Sequence, residues 1–126
     1  MRALDIFSLA VPYVSQTVDE SEDLQRLALP MLNVALQEVL EVENSIRRAK
    51  GKEELEEAPY LVDEDLGEDV PYAPELTRRA IPYWLAYRFL QDDDQDARAQ
   101  LYYNEYVNAL AEGRRMTVGK VEDVYA

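Results

Sequence analysis

The sequence contains no cysteine and no histidine. Disulfides, Cys/His zinc sites, haem ligation by histidine, thiol nucleophiles and imidazole acid–base catalysis are therefore excluded. Glycine is also scarce, with four residues that stand alone, so no glycine-rich loop can cradle a phosphate. Long apolar runs are missing too, and Asp5 stands where the apolar part of a signal peptide would begin. We therefore expect neither a membrane span nor a signal peptide.

The charge is strongly acidic, because 26 Asp and Glu against 13 Lys and Arg give a net charge of −13 over 126 residues. This charge opposes general affinity for nucleic acids and anionic membranes, since both kinds of binding need cationic side chains. It is compatible with plain solubility, with a basic protein partner, or with a surface that must not adhere to nearby DNA. The hydrophobic fraction of 48% is nevertheless enough for one folded domain.

Apolar residues recur at helical spacing in the first half of the chain, which predicts two helices there. The first covers residues 1–18 and is short or kinked at Pro12, because proline interrupts helical hydrogen bonding. The second begins near Asp19 and ends at Gly51, which follows basic residues suited to a helix C-terminus. Pro30 lies inside this helix and predicts a kink or a division there.

Two further helices are predicted in the second half. The third begins near Pro74 and extends to about residue 91, with Pro82 inside its apolar pattern. The fourth begins at an N-cap, Asp93 or Asp94, and ends at Gly113. Because the loop between them is short, these two helices should be antiparallel neighbours. The predicted fold is all-α, a small antiparallel helical bundle of about four helices.

Residues 52–73 predict an exposed acidic connection between the second and third helices. Nine acids and no base lie between Glu53 and Asp69, and such like-charge density favours a solvated segment. A connection of this length is typical of functional or mobile loops. Apolar residues within it, such as Leu61 and Tyr72, are expected to hold it to the core at points.

The last residues predict an extended C-terminal tail, so we divide the chain into a helical bundle domain, 1–113, and a tail, 114–126. The tail is too short to form a core of its own, and it either packs on the domain or is covered by a partner. Its arginines and apolar residues are the candidate partner-binding residues. They are Arg114, Arg115, Val118, Val121, Val124 and Tyr125.

Basic residues occur as three arginine pairs, Arg47-Arg48, Arg78-Arg79 and Arg114-Arg115. The simpler interpretation is that they neutralise helix ends and the acidic loop. Alternatively, they meet acids of a neighbouring copy, because strongly acidic subunits assemble only if opposite charges face each other across the interface.

Motifs for catalysis and metal binding are missing from the sequence. Asp92, Asp94 and Asp96 alternate like the start of a calcium loop, but the positions that require Gly and Glu hold Ala97 and Tyr103. The acids form no recognisable catalytic pair, and the tyrosines lack the basic groove that base stacking requires. We therefore predict a protein that is not an enzyme and has no cofactor or metal ligands.

A series of short motifs follows a definite order between about residues 20 and 112. The motifs are Leu32-Asn33, Glu43 to Arg48 with Lys50-Gly51, Glu68 to Tyr72, Ala80 to Ala86, Asp92 to Asp94 and Tyr103 to Tyr106, with Val121 to Tyr125 as a further match in the tail. This order resembles the head–tail connector, or adaptor, proteins of tailed bacteriophages and prophages.

The resemblance implies a small helical bundle that forms a homo-oligomeric ring beneath the portal protein and links the DNA-filled head to neck and tail proteins. DNA would pass through the lumen without specific binding, and the protein would reside in the virion neck after assembly in the host cytoplasm. An acidic lumen suits this role, because cationic walls would hold the phosphates. Two alternatives stay open: an acidic DNA-mimic inhibitor of a nucleic-acid-binding protein, and a structural domain of a larger cellular complex.

Overall fold

The computed structural model describes residues 1–14, 22–92 and 94–125, without the side chains of residues 22–27 and 115–125. Within these ranges the elements are helical, and the one pairing of extended residues is an isolated bridge between Arg2 and Asp69. The α-helices are α1 (Ala3–Val14), α2 (Glu22–Glu38), α3 (Leu40–Ala49), α4 (Ile81–Asp92) and α5 (Asp96–Tyr125). A 3₁₀ turn covers Asp63–Asp65, and a π-helical segment, Leu76–Ala80, leads into α4. The all-α prediction is confirmed.

The long second helix is interrupted at Val39, where φ is −97° and ψ is 6°. The predicted division at Pro30 is wrong, because α2 runs through Pro30 to Glu38, while the predicted kink there stays a prediction. The Val39 N–H still donates to the Ala35 carbonyl at 3.0 Å, and the Val39 carbonyl accepts from the Glu43 N–H at 3.0 Å. The helical hydrogen-bond pattern therefore continues on both sides of the distortion. The predicted start at Asp19 lies outside the described residues.

The predicted stop at Gly51 is confirmed. Gly51 has a φ of 72°, in the left-handed region that glycine enters without steric cost. Its N–H donates to the Arg48 carbonyl at 3.2 Å, while the Lys52 N–H donates to the Arg47 carbonyl at 2.8 Å. This pair of bonds is the Schellman arrangement that commonly ends a helix.

The π-helical segment explains how the third predicted helix contains a proline. The Ile81 N–H donates to the Leu76 carbonyl, five residues back, directly before Pro82. A proline within a helix has no N–H and collides with the carbonyl four residues earlier. In the wider π turn the backbone bond runs five residues back instead of four. The chain can therefore stay helical on both sides of Pro82.

The turn between α4 and α5 differs from the predicted N-cap. Asp94 has a φ of 56° and donates its N–H to the Gln91 carbonyl at 3.2 Å, while the Gln95 N–H reaches the Leu90 carbonyl at 2.8 Å. Asp94 therefore belongs to the C-terminal end of α4, and α5 begins only at Asp96. The prediction of Asp94 as N-cap is wrong, and Asp93 lies outside the described residues.

Helix α5 does not end at Gly113, so the predicted extended tail is wrong for residues 114–125. The helix continues to Tyr125 over 30 residues, a length of about 45 Å. A Cβ atom on Gly113 would lie 3.7 Å from Val42 Cγ1 and 3.9 Å from Ile46 Cδ1. Gly113 therefore marks the contact between α5 and α3 rather than a helix end. The division of the chain into domains 1–113 and 114–126 stays a prediction.

The core lies around α4, which contacts α1, α2 and α5. Its length carries seven buried residues, more than an amphipathic surface helix requires. The largest fully buried side chains come from several elements, namely Ile6, Leu32, Leu36, Leu76, Ile81, Leu85 and Leu90. The predicted anchors Leu61 and Tyr72 are also buried, so the acidic loop joins the same core.

Candidate functional site

The acidic loop, residues 52–73, is bound to the α2–α3 helices by two asparagine side chains. Asn33 Nδ2 donates to the Leu61 carbonyl at 2.9 Å, and its Oδ1 accepts from the Leu61 N–H at 2.8 Å. Asn44 bonds both backbone groups of Leu55 at 2.9 and 2.8 Å. A side-chain amide has one acceptor and one donor group, so each asparagine satisfies a whole peptide pair of the loop.

A buried ion pair holds the end of the loop. Glu43 is 2% exposed, and its Oε2 accepts from Arg47 Nε at 2.6 Å, while its Oε1 accepts from the Ala73 N–H at 2.6 Å. Arg47 donates also to the carbonyls of Glu53 at 3.0 Å and Pro71 at 2.5 Å. Both ends of the loop are therefore bound to one guanidinium, and the buried charge of Glu43 is compensated by it.

Tyr72 adds a third type of anchor. Its ring is 6% exposed, and its hydroxyl donates to the Leu36 carbonyl at 2.6 Å. Burial, and secondarily the neighbouring Glu43 carboxylate, raises the pKa of Tyr72 well above its usual range. The neutral phenol is therefore the form that the folded protein favours.

The N-terminal residues contact the same loop from the other side. The Val70 N–H donates to the Met1 carbonyl at 2.8 Å, and the N–H groups of Ala3 and Leu4 donate to the carbonyls of Glu68 and Leu66 at 3.3 and 3.2 Å. The backbone of the loop thus binds the beginning of α1.

Sequence reasoning missed the roles of these polar residues. Asn33 and Asn44 are about three helical turns apart, so they share one face of the α2–α3 helices. Polar amides recurring on a partly apolar helix face are a signal for backbone partners elsewhere, because a buried amide needs hydrogen bonds. Their partners, Leu55 and Leu61, carry no corresponding signal in the sequence.

The Arg47-Arg48 pair contacts the acidic loop, as the simpler interpretation predicts, whereas Arg79 binds another helix. Arg47 pairs with Glu43, Arg48 lies 3.4 Å from Glu54, and Arg79 pairs with Glu112 of α5. Arg78 is exposed and forms no ion pair with a described residue.

Of the candidate partner-binding residues, only Arg114 has a described side chain. Arg114 is exposed and has an interaction of its own within the protein. Arg115, Val118, Val121, Val124 and Tyr125 lie on α5, and their side chains are outside the described part of the chain. By helical register, positions 114, 118, 121 and 125 fall on one face of α5.

A cavity of about 310 Å³ lies beside the loop, lined by residues that include Arg47, Lys50 and Tyr72. Three of its positive groups have acidic neighbours: Arg47 pairs with Glu43, Lys50 Nζ lies 4.0 Å from Glu75 Oε1, and the Met1 amino group lies 3.4 Å from Asp69 Oδ1. Lys52 also lines the cavity and forms no ion pair with a described residue.

The described residues contain no group of three or more acidic side chains placed to hold a metal ion. Asp93 of the predicted calcium-like turn lies outside these residues. In the same ranges, no helix has the length and apolar character needed to cross a membrane.

Comparisons of the chain with protein-family models, with curated proteins and with solved structures find no match. Function is therefore inferred from the residues and their geometry.

Proposed function

We propose that this protein is a non-catalytic head–tail connector, or adaptor, of a tailed bacteriophage or prophage. The observation that carries the proposal is that separate motifs of the resemblance form one structural unit. The motifs Glu43 to Arg48 and Glu68 to Tyr72 are distant in sequence, yet Arg47 donates to the Pro71 carbonyl, and Asn33 of a third motif binds Leu61 of the loop between them. A chance likeness of short motifs would not require them to meet.

The distribution of charge supports the same role. Glu53, Glu54, Glu56 and Glu57 are all exposed, and the acids from Asp63 to Asp69 add to the same loop. A surface of this kind repels DNA phosphates, which a component of a DNA channel must not retain.

The proposal includes a finer architecture and a docking element. If α2 and α3 count as one distorted helix, the chain is an antiparallel bundle of about four helices that assembles into a ring. The C-terminal part of α5, with Arg114, Arg115, Val118, Val121, Val124 and Tyr125, contacts the portal protein or a neighbouring subunit. The ring resides in the virion neck and binds neck or tail proteins on its other side.

The test is reconstitution with the portal protein encoded in the same genome. We expect the purified chain to form rings, alone or on the portal, that are visible by negative-stain electron microscopy and co-sediment with portal assemblies. A variant ending at Arg114 should lose co-sedimentation and keep its helical circular dichroism.

The same preparation separates the acidic-inhibitor alternative. A DNA mimic would displace DNA from a purified basic nuclease or repressor and would stay monomeric beside the portal. That pair of results would contradict the connector proposal.

A further inference from the structure

Exposed apolar residues lie where the acidic loop meets α2. Tyr60 is 79% exposed and Val62 is 48% exposed, whereas Leu61 between them is 8% exposed. Val34, which follows the Asn33 that binds Leu61, is 53% exposed. We call Val34, Tyr60 and Val62 the Tyr60 patch. Single exposed apolar residues are common, but neighbouring ones around an ordered segment are typical of interaction sites.

The backbone of the patch is held in place before any partner binds. Leu61 is bonded through both backbone groups to Asn33, and the Val62 N–H donates to Asp65 Oδ2 at 2.9 Å. A partner that contacts Tyr60 would therefore have to order little of the loop, which lowers the entropic cost of association. Tyrosine is also among the residues that contribute most at protein interfaces.

The rim of the patch is acidic on both sides. Glu56 and Glu57 precede it, and Asp63 and Glu64 follow it; all four are exposed. None of them forms an ion pair with another residue in the described ranges. A partner must therefore supply cationic groups around an apolar centre, since like charges across an interface are costly.

A second copy of this chain meets that requirement poorly. Its 26 acids outnumber its 13 bases, and five of the bases pair with carboxylates inside the subunit: Arg2 with Asp5, Arg47 with Glu43, Arg48 with Glu54, Lys50 with Glu75 and Arg79 with Glu112. Other bases, such as Lys52 and Arg78, are exposed, but a second copy still brings more carboxylates than cations to the rim. A basic segment of a different protein complements the rim better.

We propose that the Tyr60 patch is a docking site for a basic segment of another protein, with an aliphatic or aromatic side chain against Tyr60 and Lys or Arg facing the rim acids. The proposal goes beyond the connector role and does not depend on it, because the patch lies on the loop and not on the C-terminal part of α5.

The first experiment uses a short soluble peptide composed of Lys, Leu and Ser as the probe, titrated into the full chain and followed by NMR. We expect shift changes confined to residues 33–34 and 56–64. Peptides with every Leu replaced by Ser, or every Lys by Glu, should not bind there. Equal binding of the Lys/Ser peptide, shifts elsewhere, or no binding of the Lys/Leu/Ser peptide would overturn the proposal.

Matched variants separate the patch from general surface effects. Tyr60→Ser should lower the affinity for the probe about tenfold. Leu101→Ser, which changes a 57% exposed residue of α5, should leave that affinity unchanged. Glu57→Lys should weaken binding of the probe more than Asp92→Lys, which changes the net charge by the same amount. If the two members of either pair behave alike, the proposal fails.

The oligomeric state tests whether a second copy of the chain occupies the Tyr60 patch. Analytical ultracentrifugation of the wild type and Tyr60→Ser should show the same self-association. Loss of an oligomer in Tyr60→Ser would assign the patch to a second copy and contradict the proposal, while the connector role would still be judged by portal binding.

Discussion

At the residue scale, two glycines with similar sequence surroundings have opposite roles. Gly51 follows Arg48 and Lys50 and takes a left-handed conformation at a helix end. Gly113 precedes Arg114 and lies inside α5, where its missing side chain faces α3. Neighbouring basic residues do not distinguish the two cases, because the difference lies in what is packed opposite.

Alanine substitution distinguishes the two glycines directly. Gly113→Ala should raise the free energy of unfolding by about 0.5–1 kcal/mol, since alanine favours helix and the new Cβ makes ordinary contacts. Gly51→Ala should lower it by about 1 kcal/mol, because its φ of 72° disfavours an L side chain. Urea unfolding measures both. A loss in Gly113→Ala as large as in Gly51→Ala would show that a helix ends at 113.

Ionisation of Tyr72 should lower the free energy of unfolding at alkaline pH. Burial raises the pKa of Tyr72 above the unfolded value of about 10, so its contribution is fully present below pH 10. The contribution is lost as pH rises from there through the folded pKa. Tyr72→Phe removes a hydrogen bond and should cost about 1 kcal/mol at pH 8. The difference from wild type should shrink by pH 11 in urea titrations; a constant difference would contradict this account.

At the element scale, the loop of residues 52–73 depends on the helices for its conformation. Some of its backbone groups are bound by side chains of α2 and α3, and others by the backbone of the first four residues. Elements stabilised in this way lose order locally when one anchor is removed, while the helices keep their own hydrogen bonds.

The asparagine anchors are tested one at a time. Asn33→Ala and Asn44→Ala should each lower the free energy of unfolding by about 1–3 kcal/mol, because partly buried peptide groups lose their partners. Hydrogen exchange should show loss of protection at the Leu61 amide in the first variant and at Leu55 in the second. Asn108→Ala, at an exposed position of α5, is the control and should change neither. Unchanged protection of both amides would contradict the assigned bonds.

Adjacent arginines test the ion pair of the loop. Arg47→Ala leaves the buried Glu43 carboxylate without its cation and should cost about 3 kcal/mol. Arg48→Ala removes a pair whose side chains are 62% and 48% exposed and should cost less than about 1 kcal/mol. Thermal and urea unfolding provide the comparison, and similar losses in the two variants would argue against a buried role for Arg47.

At the scale of the whole molecule, α5 continues past Gly113 to Tyr125. The buried residues of α5 whose side chains are described include Ala99, Tyr106, Ala109 and Gly113. A docking role for the residues after Arg114 leaves these described contacts in place.

Truncation measures that independence. A chain ending at Arg114 should keep its free energy of unfolding within about 1 kcal/mol of the full chain, since its described core contacts remain. A chain ending at Glu105 loses the buried Tyr106 and Ala109 and should lose most of its stability. A large loss of stability in the chain that ends at Arg114 would mean that residues 115–126 belong to the folded unit.

The sequence by itself determined the features that depend on a few adjacent residues. The missing histidine and cysteine exclude whole classes of chemistry, the apolar spacing specifies an all-α fold, and Gly51 and Pro74 mark a helix end and a helix start. Each follows from local backbone sterics, hydrogen bonding or side-chain inventory, which act whatever the remaining chain does.

Only the tertiary structure decided the features that depend on what lies opposite. Pro30 and Pro82 remain inside helical stretches, Gly113 packs against α3, and Asn33 binds Leu61, 28 residues away. Proline and glycine inside a helix are disfavoured by about 1–3 kcal/mol, so sequence preference alone predicts helix ends at such positions. A sequence pattern carries the local preference but not the identity of the partner that overrides it.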